Sequence, residues 1–463
     1  MPQSGYTGSG SAERLRAAFR AGRTRPLEWR IKQLRCLEAM LVEQEGPLIK
    51  ALAADVAKPE IEGWASELAS TMGEVRLARR KLKSWAKDRR LAIPASHRPG
   101  RAWVHSEPLG VALIIGPWNF PIQLLLSPLA GAIAAGNCAV IKPSELAPET
   151  SAALAQFLPQ YLDDSAFEVV EGGVEASTDL LAQKWDHIFY TGNGVVGRIV
   201  AQAAARNLTP TTLELGGKSP VVVASDADLR VAARRIAWGR FFNAGQVCMA
   251  PDYVLVESSV RKNFVEEVAR AVATFYGADP TRSPDFGRIV NQHHFERVTG
   301  LIDAGGYERL AMGGQRDAVT RYIAPTVLDG VDDGAPVMAE EIFGPVLPIR
   351  PVRDVREAVE YVNARPKPLA AYVFTSSRDT ARLVERRTSS GALGVNNVVL
   401  HATAPHLPFG GVGESGMGSY HGRWGFDTFS HQKAVLTKST RLDVPLAYPP
   451  YTERKSRLVR RLL

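Results

Sequence analysis

The stretch His187–Ala205, "HIFYTGNGVVGRIVAQAAA", passes from an apolar strand-like run through a glycine turn into a helix-like run. Gly192-x-Gly194-x-x-Gly197 sits at the junction. Glycines there let backbone N–H groups approach a pyrophosphate, and the positive end of the following helix favours its charge. A second match, Gly411–Gly416 in "GVGESG", has no strand–helix context and carries no phosphate reading.

The texture around the first copy is the same unit repeated. "GVALIIG" (110–116), "NCAVIKP" (137–143), "FEVVEGG" (167–173) and "TTLELGG" (211–217) are strand-like, and "PIQLLLSPLAGAIAAG" and "APETSAALAQFLPQYL" are helix-like. Such alternation predicts a parallel sheet wrapped by helices. After Gly217 a second series follows: "PVVVAS", a helix over 228–243, "DYVLVE", a helix over 260–276, "VLPIRPV", a helix over 355–363, "AAYVFTS", a helix over 380–388 and "ALGVNN". Residues 11–90 predict long amphipathic helices whose work is to cover a sheet.

At 463 residues, with 45% hydrophobic and 22% charged side chains, the chain predicts a soluble globular protein of two or three domains. Its +8 net charge comes from interspersed Lys, Arg, Asp and Glu, the pattern of an ordinary solvated surface rather than a nucleic-acid stripe. The tail "ERKSRLVRRLL", Glu453–Leu463, predicts a solvated or subunit-packed helix. No apolar run reaches the ~18 residues of a membrane span, and the start lacks a signal-peptide core, so a cytoplasmic location without a transmembrane anchor is expected. Cysteines at 36, 138 and 248 give neither a disulfide framework nor a metal site and fit a reducing compartment.

Cys248 lies in "FFNAGQVCMAPDY", Phe241–Tyr253, among small residues rather than in an apolar element. Glu214 stands where the dinucleotide fingerprint expects a ribose-binding acid, 22 residues past Gly192. Lys142 and Glu145, just past the strand "CAVI", compete for the same ribose.

"PWNFP" (117–121), "IKPSE" (141–145), "YTGN…G" (190–197), "LELGGKSP" (213–220), "GQVC" (245–248) and "EEIFGPV" (340–346) stand in an order and spacing that resemble the aldehyde dehydrogenase superfamily. The ending "LPFGGVGESGMGSYHGRWGFDTFSH", with "YPPY" beyond it, resembles the class 3 branch of fatty and aromatic aldehyde dehydrogenases, and also coniferyl aldehyde dehydrogenases. The resemblance implies an α/β chain in three parts. A modified Rossmann NAD-binding domain covers 1–217, with an oligomerisation hairpin near 91–108. An α/β catalytic domain covers 218–406. Residues 407–463 return to the first domain and add an oligomerisation extension, making a homodimer the implied assembly.

By the same resemblance Cys248 is the nucleophile, and its loop is expected to activate the thiol. Asn119 and the Cys248 N–H stabilise the oxyanion, and Glu214 activates the water that hydrolyses a thioester on Cys248. The ribose assignment for Glu214 therefore gives way to Lys142 and Glu145. Gly192, Asn193 and Gly197 form the pyrophosphate turn, with Gly194 an extra. Trp118, Leu215, Gly216, Glu341 and Phe343 surround the rest of the cofactor. NAD is implied, with NADP possible, because Glu145 should repel a 2′-phosphate. Trp118, Phe120, Trp238, Phe241, Phe242 and Phe409 suit an apolar tunnel for a medium- or long-chain aliphatic or aromatic aldehyde. Val247 departs from the hydroxyl residue often found before the nucleophile. The rival readings are a CoA-acylating relative, which would not rely on Glu214, a silent NAD-binding scaffold, and a cysteine hydrolase, for which no histidine stands in the Cys248 loop.

Overall fold

In a computed structural model the described residues are 10–94, 97–443, 446 and 448–462. The N-terminal third is helical as its periodicity predicts. Ser11–Arg20, Leu27–Glu43, Glu45–Val56 and Ser70–Trp85 are α-helices. Leu34, Leu37 and Leu41, at helical spacing, bury into the same core as Val111–Ile115 of the first sheet. One local feature escapes periodicity. Between Glu60–Gly63 and Ser70–Trp85 the chain widens into a π-helical turn, Trp64–Ala69.

Five parallel strands and one short antiparallel strand make the first sheet. Across it run Phe167–Val169, Cys138–Lys142, Val111–Ile115, His187–Thr191, Thr211–Glu214 and Gly416–Met417. In chain order the parallel strands are arranged 3-2-1-4-5. The order reverses between Val111–Ile115 and His187–Thr191, and ligands bind at the carboxyl ends beside such a switch point. Gly197 lets the following helix settle here, because a Cβ on it would lie 2.7 Å from Leu215 Cδ2. The second glycine match supplies the edge strand Gly416–Met417, paired with Leu213 and Glu214.

The second sheet has seven strands, in the order Tyr307–Met312, Thr326–Val331, Val346–Val352, Tyr253–Glu257, Pro220–Val223, Ala370–Phe374 and Ala392–Val395. Its own apolar core includes Val254, Phe264, Leu328 and Tyr372. The sequence reading passes over Tyr307–Met312, Thr326–Val331 and the helix Gln292–Asp303. Their patterns are masked by charge: Asp329 sits buried inside a strand, where Arg261 and Arg309 pair with it at 2.7 and 2.9 Å.

A third, three-stranded antiparallel sheet joins Arg89–Leu91, Gly100–Pro108 and Ser430–Lys438. Of the segment expected as a hairpin near 91–108, Gly100–Pro108 is a strand, paired with Arg89–Leu91 at the segment's start; residues 95 and 96 lie outside the described residues. The tail is a helix, Glu453–Leu462, and Leu463 lies outside the described residues. Among the described residues no helix is long and apolar enough to cross a membrane.

Candidate active site

Cys248 hangs on a loop between the helix Leu229–Phe241 and the start of strand Tyr253–Glu257. Three consecutive residues there, Asn243, Ala244 and Gly245, have left-handed backbone with φ of 49°, 52° and 76°. Two of them are not glycine, a conformation costing ~1 kcal/mol or more each unless the surroundings impose it. Here they do. Asn243 N–H donates to Glu62 Oε2 at 3.0 Å, and its side-chain amide donates to the carbonyls of Asn119 and Gln246. Gln246, wholly buried, donates to the carbonyls of Asn243 and Arg288 and accepts from Val290 N–H. Gly245 must be glycine, since a Cβ would stand 2.3 Å from the Gly344 carbonyl. That contact presses the "EEIFGP" loop against the cysteine loop.

Asn119 is buried and donates its side-chain amide to the Gln246 carbonyl at 3.0 Å. An amide nitrogen carries two N–H groups, so one fixes its plane and the other remains for a ligand in the cavity that Asn119 lines. Glu214 ends its strand one place out from the switch point, next to His187–Thr191, and neither of its carboxylate oxygens meets a hydrogen-bond partner among the described residues. Burial pushes its pKa well above the usual carboxylate range. Burial, reinforced by Glu341 and Glu214, also pushes the Cys248 thiol upward.

The backbone N–H groups of Cys248 and Met249, within the same loop, act in the opposite direction and favour the thiolate.

A cavity of about 580 Å³ runs from these groups to the surface. Asn119, Glu214, Cys248, Lys142 and Glu145 all line it. Trp118, Gly192, Asn193, Gly216, Glu341 and Phe343 line it too. Leu215 and Gly197 do not; they pack on each other behind the wall. Asn193 caps the helix Gly194–Ala205, accepting from Val196 N–H at 2.9 Å. Gly192 and Gly216 face the side chains of Tyr190 and Glu341, whose ends lie 2.2 and 2.1 Å from where a Cβ would be. At Gly194 a Cβ would meet only Arg198, at 3.2 Å, so this glycine is the dispensable one.

Lys142 is buried with Nζ 3.6 Å from Glu145, and desolvation lowers its pKa. Burial raises Glu341 to about 8, and Phe343 takes φ of 48° with its ring edge-on to Trp118.

Of the aromatic residues expected in a tunnel, Trp118 lines the cavity. Phe120 and Phe242 stack at 6.1 Å, Trp238 leans on Phe242, and a small apolar cluster joins Phe120 to Leu124, Val247 and Ala250 on either side of Cys248 in sequence. Phe241 is not in a tunnel; it belongs to the core of the second sheet. Phe409 stacks between His401 and His421 in the first core.

Several residues were missed. His294 and Arg297 line the cavity from a helix that charge had hidden. Asp252 pairs with Lys218 at 2.6 Å and with Arg240 at 3.0 Å and accepts from Ile342 N–H, fixing the loop that carries Glu341 and Phe343. Lys218 and Asp252 stand inside "LELGGKSP" and "APDY", and two opposite charges flanking glycine-rich turns were the available signal.

Residues 11–435 match the family model described as the aldehyde dehydrogenase family. The chain is 48% identical over 445 residues to aldehyde dehydrogenase family 3 member A2 of Rattus norvegicus, covering 96% of this chain and 91% of that one. It is 47% identical to the aldehyde dehydrogenase of Canis lupus familiaris named dimeric NADP-preferring, covering 96% and 98%. Among solved structures, the substrate-bound state of Staphylococcus aureus AldH superposes with a TM-score of 0.95 at 41% identity, over 97% and 98% of the two chains. With a cysteine, a carboxylic acid and an amide lining one nucleotide-sized cavity and these relatives matching nearly end to end, the chain belongs to the aldehyde dehydrogenase family, in its class 3-like branch.

Proposed function

We propose that Cys248, Asn119 and Glu214 carry the NAD(P)-dependent oxidation of an aldehyde to its carboxylic acid. The observation that supports this most directly is Glu214, a buried carboxyl group with both oxygens unpartnered in the cavity that Cys248 also lines. Cys248 Sγ bonds to the aldehyde carbon as the C=O π pair moves onto oxygen and the thiol proton passes to solvent, giving a thiohemiacetal oxyanion. The free N–H of Asn119 holds the developing oxyanion, an interaction of about 3 to 4 kcal/mol at such sites. NAD(P), when bound, supplies the acceptor for the hydride that leaves this carbon. The thioester left on Cys248 is attacked by water, Glu214 takes the water's proton, and the carboxylic acid departs as the sulfur regains a proton.

The cavity fits the cofactor. Gly192 and Gly216 line it, and their lack of a side chain lets Tyr190 and Glu341 pack against the backbone that faces the cavity. Leu146, Val174, Val196 and Ile199, all exposed, wall its outer end with apolar surface suited to adenine. Glu341 presents a buried, unpartnered oxygen, Oε1, suited to a ribose hydroxyl. Lys142 and Glu145 take the other ribose, and Glu145 favours NAD over NADP by repelling a 2′-phosphate. The apolar cluster around Phe120 and Val247 supports a medium- or long-chain aliphatic or an aromatic aldehyde.

The three-stranded arm supports a homodimer, since Leu436 is exposed on its edge strand. Two separate apolar cores support a division at 217 and 406, and Phe409, Phe426 and Phe429, which pack in the first core, support the return of 407–463 to the first domain. Three free thiols fit the cytoplasm.

NADH absorbance after mixing with octanal or benzaldehyde tests this. Cys248→Ala should form no NADH, and Glu214→Gln should give a burst of about one equivalent followed by turnover slowed 10²-fold or more. NADH formed only when CoA is added would overturn the hydrolytic reading.

A further inference from the structure

Behind the oxyanion amide lies an ion pair that the chemistry above does not use. Lys58 Nζ and Glu67 Oε1 are 2.6 Å apart, and both side chains are wholly shielded from solvent. Removing two charges from water is costly, so such a pair calls for a reason beyond stability. Its remaining bonds all go to one place. Lys58 Nζ donates to the Asn119 carbonyl at 2.9 Å, and Glu67 Oε2 accepts the N–H groups of Ile122 and Gln123 at 3.0 and 2.9 Å. Lys58 also stands 4.1 Å over the ring of Phe120. The pair thus grips the turn that carries Asn119 at both of its ends.

Glu67 reaches that turn from the π-helical segment Trp64–Ala69, and irregular turns of this kind inside helices frequently mark functional sites. The Asn119 carbonyl is shared with the amide of Asn243, which also donates to Gln246 O, two residues from the nucleophile. A single network therefore ties Lys58 and Glu67 to the amide and to the cysteine loop.

We infer that Lys58 and Glu67 are positioning residues that fix Asn119 relative to Cys248. This rests on the reading of Asn119 as the oxyanion donor. Misplacing a group by about 1 Å can cost 10²-fold in rate, so loosening this turn acts on the step that develops the oxyanion.

The test is a double-mutant cycle on the pre-steady-state NADH burst. Lys58→Met/Glu67→Gln removes both charges together and leaves an acceptor for Ile122 and Gln123. It should slow the burst about tenfold or more in the wild-type background and less than about twofold in the Asn119→Ala background, with the dissociation constant for NAD unchanged. If the double variant does not fold, Lys58→Arg, which keeps the charge and moves the donor, enters the same cycle. Equal losses in both backgrounds, or none, overturn the inference while leaving Asn119 its role. An unchanged burst in Asn119→Ala alone overturns the oxyanion reading and this inference with it.

Discussion

Burial raises the pKa of both Glu214 and Cys248, and that sets the direction of the reaction's pH dependence. Thioester hydrolysis requires Glu214 as the carboxylate, whose pKa burial has raised. Turnover should therefore climb with pH over a range above that of an ordinary carboxylate. In Glu214→Gln that climb should flatten, as checked by kcat from about pH 6 to pH 9 with octanal. Glu145 governs a different quantity: Glu145→Gln should raise the NADP-to-NAD ratio of kcat/KM about tenfold, by removing a like charge from a 2′-phosphate. That Cys248, Glu214 and Asn119 would line one cavity was legible because their motifs stand in a fixed order. The shifts of their pKa values were not, because burial and neighbouring charges come from groups far off in sequence. Glu341 raises the Cys248 thiol from 93 positions away (341 − 248).

Elements were legible where periodicity was clean and obscured where buried charge interrupted it, as at Asp329 and in the helix carrying His294 and Arg297. The π turn had no sequence mark, since helical spacing differs from it by one residue in a single turn. Gly216, at the end of "TTLELGG", is an element boundary where geometry forbids a side chain. Gly216→Ala should displace Glu341 and raise the KM for NAD about tenfold, while titration of Cys248 with a thiol reagent stays as in the wild type.

The helix Ser70–Trp85 carries another buried acid, Glu74, which burial raises to about 7 while Gly422 N–H donates to it at 2.8 Å. His421, 3.7 Å away, is held neutral with a pKa near 4 and offers no compensating charge. A raised folded pKa means the contribution of Glu74 to stability is complete below its unfolded value of 4.5 and is lost as pH rises through about 7. Glu74→Gln should thus raise unfolding free energy by on the order of 2 kcal/mol at pH 8, with the gain vanishing toward pH 5, as read from urea denaturation at both pH values.

At the scale of the molecule, the first sheet delivers residues from its carboxyl ends, and the second unit from loops entering its strands and from the helix Gln292–Asp303, so the cavity is lined from both. The alternation of strands and helices made both units legible, but it could not show which edges would face each other. The arm stands apart from both. A dimer built through it should elute near 101 kDa, twice the 50.3 kDa chain, in light scattering. Leu436→Asp should shift the species toward 50.3 kDa if Ser430–Lys438 is the joining edge.

Strand Thr211–Glu214 closes on one side with His187–Thr191, but on the other with Gly416–Met417, some two hundred residues later in the chain. During synthesis at 5–20 residues per second, the strand bearing the carboxyl group therefore waits on the order of ten seconds or more with an unpaired edge. Exposed edges of that kind recruit other chains. The last eighth of the polypeptide thus acts as a seal on a half-built sheet, and a ribosome stalled before it arrives releases a nascent protein with a sticky margin at its future catalytic centre.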